Sequence, residues 1–222
     1  MNVLVIAPHM DDEVLGVGGT ICKHVSAGHR VKVLFLGNRV YNHRFDQKLQ
    51  DREEDHARRA AGVLGYQEQT FARLPDERFQ ESFVDLLQII ETTVEDFIPR
   101  VVYVNHRNDP HQDHKAVFEA SIIALRSFAQ SDRIKQILCY EIPSSSDQAP
   151  PFIEYAFRPN YYVNVSGFID KKIEAMGCYD TEEREFPHPR SNDAIRALAI
   201  SRGTACYFSA AEAFMVLREE WD

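Results

Sequence analysis

Met1-Asn2-Val3-Leu4-Val5-Ile6-Ala7 runs straight into Pro8-His9-Met10-Asp11-Asp12-Glu13, and the reading of this junction decides the fold. The five apolar residues from Val3 to Ala7 suit one buried strand, and they are far too few for a signal peptide or a membrane span. The run ends abruptly in imidazole and carboxylate groups. Gly18-Gly19-Thr20 and a stretch of helical length follow, and then comes a second aliphatic run, Val31 to Leu36. Strand, helix, strand is the reading, with the polar cluster at the first strand's carboxyl end.

Further along the chain, residues from about Gln47 to Leu64 mix charges with Ala and Leu and stop at Gly65, as a surface helix with a glycine terminator does. Phe83, Leu86, Leu87, Ile90 and Val94 give Phe83 to Phe97 helical spacing, and Pro99 closes that segment. Arg100 to Val104 then predicts a third strand leading into the polar stretch Asn105 to His114. A helix is expected from near His114 towards Phe128. Strands are expected at Ile134 to Ile142, Tyr161 to Val165 and Ala213 to Leu217, with helices at Ser166 to Met176 and Asn192 to Arg202. This alternation predicts an α/β fold, a Rossmann-like three-layer sandwich around a mostly parallel sheet, forming one domain over residues 1–222. Pro143 to Pro151, with Ser144-Ser145-Ser146 among three prolines, reads as a surface connection, or as a rim or lid of the site.

Composition narrows the function. With 44% apolar residues in 222, the chain can bury a core without staples. A formal charge of -9 supplies no basic surface for phosphates, so nucleic acid is not an expected partner. Cys22, Cys139, Cys178 and Cys206 form no C-x-x-C pair, which leaves neither a zinc ribbon nor a thioredoxin-type site. Without a leader, a membrane anchor or a long amphipathic surface helix, a cytoplasmic location is expected.

Two clusters carry the chemistry: Pro8 to Glu13 after the first strand and Asp109-Pro110-His111-Gln112-Asp113-His114 after the third. Ligands of open α/β sheets bind outside the carboxyl ends of the strands, so both clusters can face one crevice. Singly, each has a plainer reading: an isolated histidine is usually just polar, and Asp-Asp-Glu suits the positive end of a helix. Together they offer the imidazole and carboxylate donors of a catalytic zinc site with one open position. Such a metal polarises a carbonyl and acidifies water, and amide hydrolysis also needs a base and an acid for the leaving amine. Asp11 and Asp12 are chain neighbours that cannot comfortably point at one atom, so one can bind metal while the other takes a proton. His111 is placed to be an orientable imidazole beside the metal.

Ala7-Pro8-His9-Met10-Asp11-Asp12-Glu13 and His111-Gln112-Asp113-His114 resemble the paired signatures of the LmbE-like, or PIG-L, zinc-dependent N-acetylglucosaminyl deacetylases. His188-Pro189-Arg190-Ser191, Arg202-Gly203 and Ala211-Glu212-Ala213-Phe214 extend the resemblance into the C-terminal third. It implies that His9, Asp12 and His114 ligate Zn2+, a set that Fe2+ or Co2+ also fits. It further implies that Asp11 is the general base, that His111 is the acid or oxyanion stabiliser, and that Asp113 holds His111. Arg52 is the nearest candidate for the family's sugar-contacting arginine, although it sits beside Glu53-Glu54-Asp55 and can pair there. Glu141, with Tyr140 and the Ser144 to Ser146 loop, is a natural specificity element. Met10 replaces a proline of the family pattern, and Leu36-Gly37-Asn38-Arg39 departs from its threonine-containing turn.

The implied reaction removes acetate from an N-acetylglucosamine-type sugar nucleotide, glycoside or oligosaccharide. A zinc amidase on a non-sugar N-acyl substrate shares the same residues, and a silent sugar-binding module would be marked by loss of Asp11 or a ligand, none of which is lost. No G-x-S-x-G elbow supports a serine hydrolase. Acidic Asp11, Asp12 and Glu13 stand where a dinucleotide's pyrophosphate would lie, so Gly16, Gly18 and Gly19 are read as packing glycines. The small-molecule partner is an amino sugar, and a homo-oligomer is compatible with the sequence.

Overall fold

The computed structural model describes residues 1–41, 43–126 and 134–221. Among these residues the strands are β1 (Asn2–Ala7), β2 (Arg30–Gly37), β3 (Val40–Tyr41), β4 (Arg44–Phe45), β5 (Glu68–Leu74), β6 (Val101–Asn105), β7 (Gln136–Tyr140), β8 (Tyr161–Asn164) and β9 (Ala211–Glu219). Among the described residues the α-helices are α1 (Asp12–Ser26), α2 (Gln47–Leu64), α3 (Phe83–Phe97), α4 (Gln112–Ala124), α5 (Ile169–Met176) and α6 (Asn192–Thr204). The expected end of α4 at Phe128 lies outside the described residues.

Seven strands form the central sheet in the order β5-β2-β1-β6-β7-β9-β8, and β3 with β4 makes a separate hairpin. β5, β2, β1, β6 and β7 pair in parallel, whereas β9 runs antiparallel to both β7 and β8. The expected mostly parallel sandwich is what forms. Alternation along β1 shows why it needs cover on both faces: Val3, Val5 and Ala7 join one core, and Leu4 and Ile6 the other. The first core is covered by α1, α2, α5 and α6, the second by α3 and α4.

The chain leaves β1 in one direction for β2 and β5 and returns to the other side of β1 for β6 and β7, so the strand order reverses between β1 and β6. At such a switch point the loops diverge and open a crevice at the strands' carboxyl ends. Residues 8–11 and 106–111 lie there. α1 can start so close because it lacks side chains where it meets the sheet: a Cβ on Gly16 would come within 2.2 Å of the Tyr140 ring, and one on Gly19 within 2.9 Å of Val165.

β5 was not expected from the sequence. It is an edge strand, half-buried along most of its length, so Glu68 to Leu74 shows no continuous apolar run. Among the described residues no helix is long and apolar enough to cross a membrane.

Candidate metal and catalytic site

His9 follows β1, Asp12 opens α1 and His114 lies in the first turn of α4; all three are buried. His9 Nδ1 lies 3.2 Å from His114 Nε2 and 3.6 Å from Asp12 Oδ2, and His114 Nε2 lies 3.4 Å from Asp12 Oδ2. Three donors of one tetrahedral zinc, each at ~2.1 Å from the ion, stand roughly 3.4 Å apart, so this triangle matches one face of such a tetrahedron.

The remaining nitrogens of both imidazoles face carboxylates. Asp109 Oδ2 is 2.9 Å from His114 Nδ1, while Asp76 Oδ1 and Asp113 Oδ2 lie 3.0 and 3.2 Å from His9 Nε2. Carboxylates in that position fix the tautomer and raise the basicity of a metal-binding histidine. Four buried carboxylates around two imidazoles also concentrate negative charge, which demands a cation. Burial works against protonating His114, but Asp12 and Asp109 outweigh it and hold the ring up at about 9. His9 is raised in the same way, against its burial, by Asp113, Asp12 and Asp76. The donor chemistry and the spacing therefore both fit a divalent metal.

Asp11 stands beside the triangle. It caps α1 with φ 115, a left-handed conformation that a non-glycine residue adopts only under constraint. Glu13 supplies part of that constraint, since its carboxylate accepts the Asp11 N–H (3.1 Å) and also the Tyr179 hydroxyl (2.6 Å). The Asp11 side chain meets Arg190, whose Nη1 donates to Asp11 Oδ2 (2.7 Å) and to Glu182 Oε2 (2.6 Å). Burial pushes the Asp11 carboxyl up to about 7, with Arg190 pulling it down and Asp12 and Glu182 pushing it further up.

His111 caps α4, meets the His9 ring edge-on with centroids 4.8 Å apart, and stacks on the His114 ring at 4.7 Å. Its Nδ1 accepts the Asp113 backbone N–H (3.3 Å), which leaves Nε2 to carry the proton of the neutral ring. Burial, then the positive charge of His9 and His114, lowers its pKa to about 4.

Three of the expected site residues have other partners in the structure than the sequence suggests. The Asp113 carboxylate does not hold His111: Oδ2 faces His9 and accepts the Glu77 N–H (2.6 Å), and Oδ1 accepts the Phe79 N–H (3.2 Å). Only the Asp113 backbone reaches His111. Arg52 is away from the cluster, on the exposed face of α2, where it pairs with Asp180 at 2.7 Å. The helical period buries Gln50, Glu53, Glu54 and Ala57 and turns position 52 outward. Glu141 forms a two-point ion pair with Arg202 of α6 (2.8 and 2.6 Å), which occupies both of its oxygens.

The Pro143 to Pro151 segment is a rim bound to the site. Ser145 and Ser146 donate to the Asp109 carboxylate, and Arg190 Nε donates to Ser144 Oγ (2.7 Å). Asp76, Arg190, Glu182 and Arg39 were not among the expected site residues. Arg39 follows β2 and pairs with Glu182, continuing the chain of alternating charges Asp11, Arg190, Glu182, Arg39. The sequence signals for them were His188-Pro189-Arg190-Ser191, which carried resemblance without a role, and Leu36-Gly37-Asn38-Arg39, noted as a departure from the family's turn.

Comparison with known proteins adds a family match. The model described as PIG-L, GlcNAc-PI de-N-acetylase, matches residues 4–125, a stretch that contains both polar clusters. An uncharacterized deacetylase of Escherichia coli strain K12, YaiS, is 29% identical over 168 residues, 72% of this chain and 84% of that protein. Diacetylchitobiose deacetylase of Thermococcus kodakarensis is 27% identical over 201 residues, 84% of this chain and 70% of the relative. The crystal structure of GalB, the 4-carboxy-2-hydroxymuconate hydratase of Pseudomonas putida KT2440, superposes with a TM-score of 0.77 at 20% identity, covering 100% of this chain and 98% of that one. That likeness concerns the fold alone, because one fold hosts different chemistries.

Proposed function

The chain belongs to the GlcNAc-PI de-N-acetylase, or PIG-L, family, and on that premise we propose that it is a zinc-dependent deacetylase that hydrolyses the acetamide of an N-acetylglucosamine-type amino sugar. The observation that carries this reading is the triangle of His9 Nδ1, Asp12 Oδ2 and His114 Nε2, with sides of 3.2 to 3.6 Å. Its relatives named for deacetylation, one of them acting on diacetylchitobiose, favour the acetamide over other amides.

His9, Asp12 and His114 would hold the metal, which when bound acts as a Lewis acid and brings the pKa of water down to about 7. Asp11 takes the proton of the attacking water, being an adjacent carboxylate whose neighbours keep it off the ligand triangle. His111 donates from Nε2 to the oxygen that gains charge as the amide carbon becomes tetrahedral. As a neutral imidazole it is suited to hydrogen bonding this oxyanion more than to delivering a full proton. Asp11, once protonated, returns its proton to the departing amine. Arg39, in place of Arg52, is the arginine assigned to the sugar: it borders a groove of about 720 Å3 with Phe45, Leu49 and Glu182.

The test is free-amine release from sugar nucleotides, simple N-acetylglucosaminides and chitin fragments, using metal-stripped protein with and without zinc. Zinc-dependent release from one class supports the reading and names the aglycone. Metal-loaded protein that is silent on every sugar would overturn it in favour of an amidase for non-sugar acyl amines.

A further inference from the structure

We propose that Arg190 is the positioning residue of the general base, locking one oxygen of Asp11 so that the other is presented to the attacking water. The inference rests on the deacetylase reading for its kinetic consequence but on geometry for its content. Arg190 Nη1 holds Asp11 Oδ2 at 2.7 Å, whereas Asp11 Oδ1 carries no hydrogen bond among the described residues. A carboxylate held at one oxygen cannot rotate about its terminal torsion, and its free oxygen keeps one direction.

The guanidinium is itself held by two further partners, one of which is anchored in turn. Glu182 Oε2 accepts from the same Nη1 at 2.6 Å, Ser144 Oγ accepts from Nε at 2.7 Å, and the other oxygen of Glu182 is tied to Arg39 at the end of β2. Arg190 is mostly buried, and its pKa is raised by Asp11 first and Glu182 after it, so it remains a fixed cation. Glu13 meanwhile holds the Asp11 backbone at φ 115. Asp11 is thus fixed through its backbone by α1 and through its side chain by a residue 179 positions later in the chain. An ion pair serving stability alone needs neither the strained backbone nor the second anchor at Ser144, which lies on the rim of the site.

Misplacing a catalytic group by about 1 Å costs about 100-fold in rate. Arg190→Ala is therefore expected to lower kcat by about 100-fold with KM and zinc content close to the parent values, and added guanidinium is expected to restore part of the loss. Glu182→Gln, which keeps Arg190 but loosens it, is expected to give a smaller fall in kcat at full zinc occupancy, and it decides the matter if Arg190→Ala folds poorly. An unchanged kcat in either well-folded, metal-loaded variant would overturn the proposal. A crystal structure of Arg190→Ala separates this proposal from the deacetylase reading: Asp11 unmoved overturns the positioning role whatever the substrate, while a parent enzyme inactive on all amino sugars, with Asp11 displaced in the variant, overturns only the reaction.

Discussion

Asp113 Oδ2 lies 3.2 Å from His9 Nε2, so the carboxylate two residues after His111 braces an imidazole from the opposite cluster. Its oxygens also accept the backbone N–H groups of Glu77 and Phe79, which fasten the segment after β5 to the site. That segment delivers Asp76, the second carboxylate on His9. Removing a partner of this kind usually weakens metal binding by about 10–100-fold. Asp76→Asn and Asp113→Asn are each expected to raise the zinc dissociation constant by that factor, measured by competition with a chelator. Equal affinity in both variants would mean that His9 is not a ligand through Nδ1.

Asp11 and His114 divide the labour differently. Asp11→Ala is expected to keep zinc and lose about 10²–10⁴-fold in turnover, the usual worth of a general base. His114→Ala is expected to lose both, because it removes one corner of the donor triangle and the imidazole that Asp109 and Asp12 share. Metal analysis beside the amine-release assay checks the pair. Retained zinc in the His114 variant would count against the ligand assignment, and lost zinc in the Asp11 variant against the separation of roles.

What the sequence disclosed and what it withheld follow the range of the interactions. β1, α2 and α3 are declared by local patterns, an aliphatic run, a glycine stop and helical spacing, and the two ligand clusters sit at strand ends where topology alone brings them together. β5 is half-buried at an edge, so nothing in Glu68 to Leu74 forces an apolar pattern. The bracing groups are long-range: Asp76 and Arg190 reach His9 and Asp11 from separate loops, and no local spacing records that. The placement of Arg52 was not legible because an arginine near a helix start is compatible with either face, and the packing of Glu53, Glu54 and Ala57 decides which face turns inward.

Glu54 gives a pH prediction far from the metal. Its buried carboxylate is held to about 2, chiefly by Arg73 (2.6 Å) against the cost of burial, with help from Gln50 and Arg58. A folded-state value below the ordinary 4.5 means the ionised form is favoured in the folded protein. The contribution is complete above about pH 4.5 and disappears as the pH falls towards 2. Because Arg73 is largely exposed, its worth is screened and modest. Glu54→Gln is expected to flatten the fall in unfolding free energy between pH 5 and 3, measured by urea denaturation. A slope identical to the parent's would show that the pair does not persist in solution.

Gly16 provides the sharpest test of how the site is carried. A Cβ there would lie 2.2 Å from Tyr140 Cδ2 and 2.7 Å from Cε2, and the tyrosine cannot swing aside because its hydroxyl donates to the Ile6 carbonyl (2.7 Å) in β1. Gly16→Ala must therefore push α1 off the sheet, and overpacking of this sort costs about 1–3 kcal/mol. α1 begins with Asp12, so displacement of the helix also moves a ligand relative to His9 and His114. The expected result is lower stability in urea together with weaker zinc binding. Adding Tyr140→Leu should recover affinity for zinc more fully than stability, since it makes room for α1 but forfeits the hydrogen bond to Ile6. Undiminished zinc affinity in Gly16→Ala alone would show that the ligand triangle is set by the loops, independently of where α1 sits.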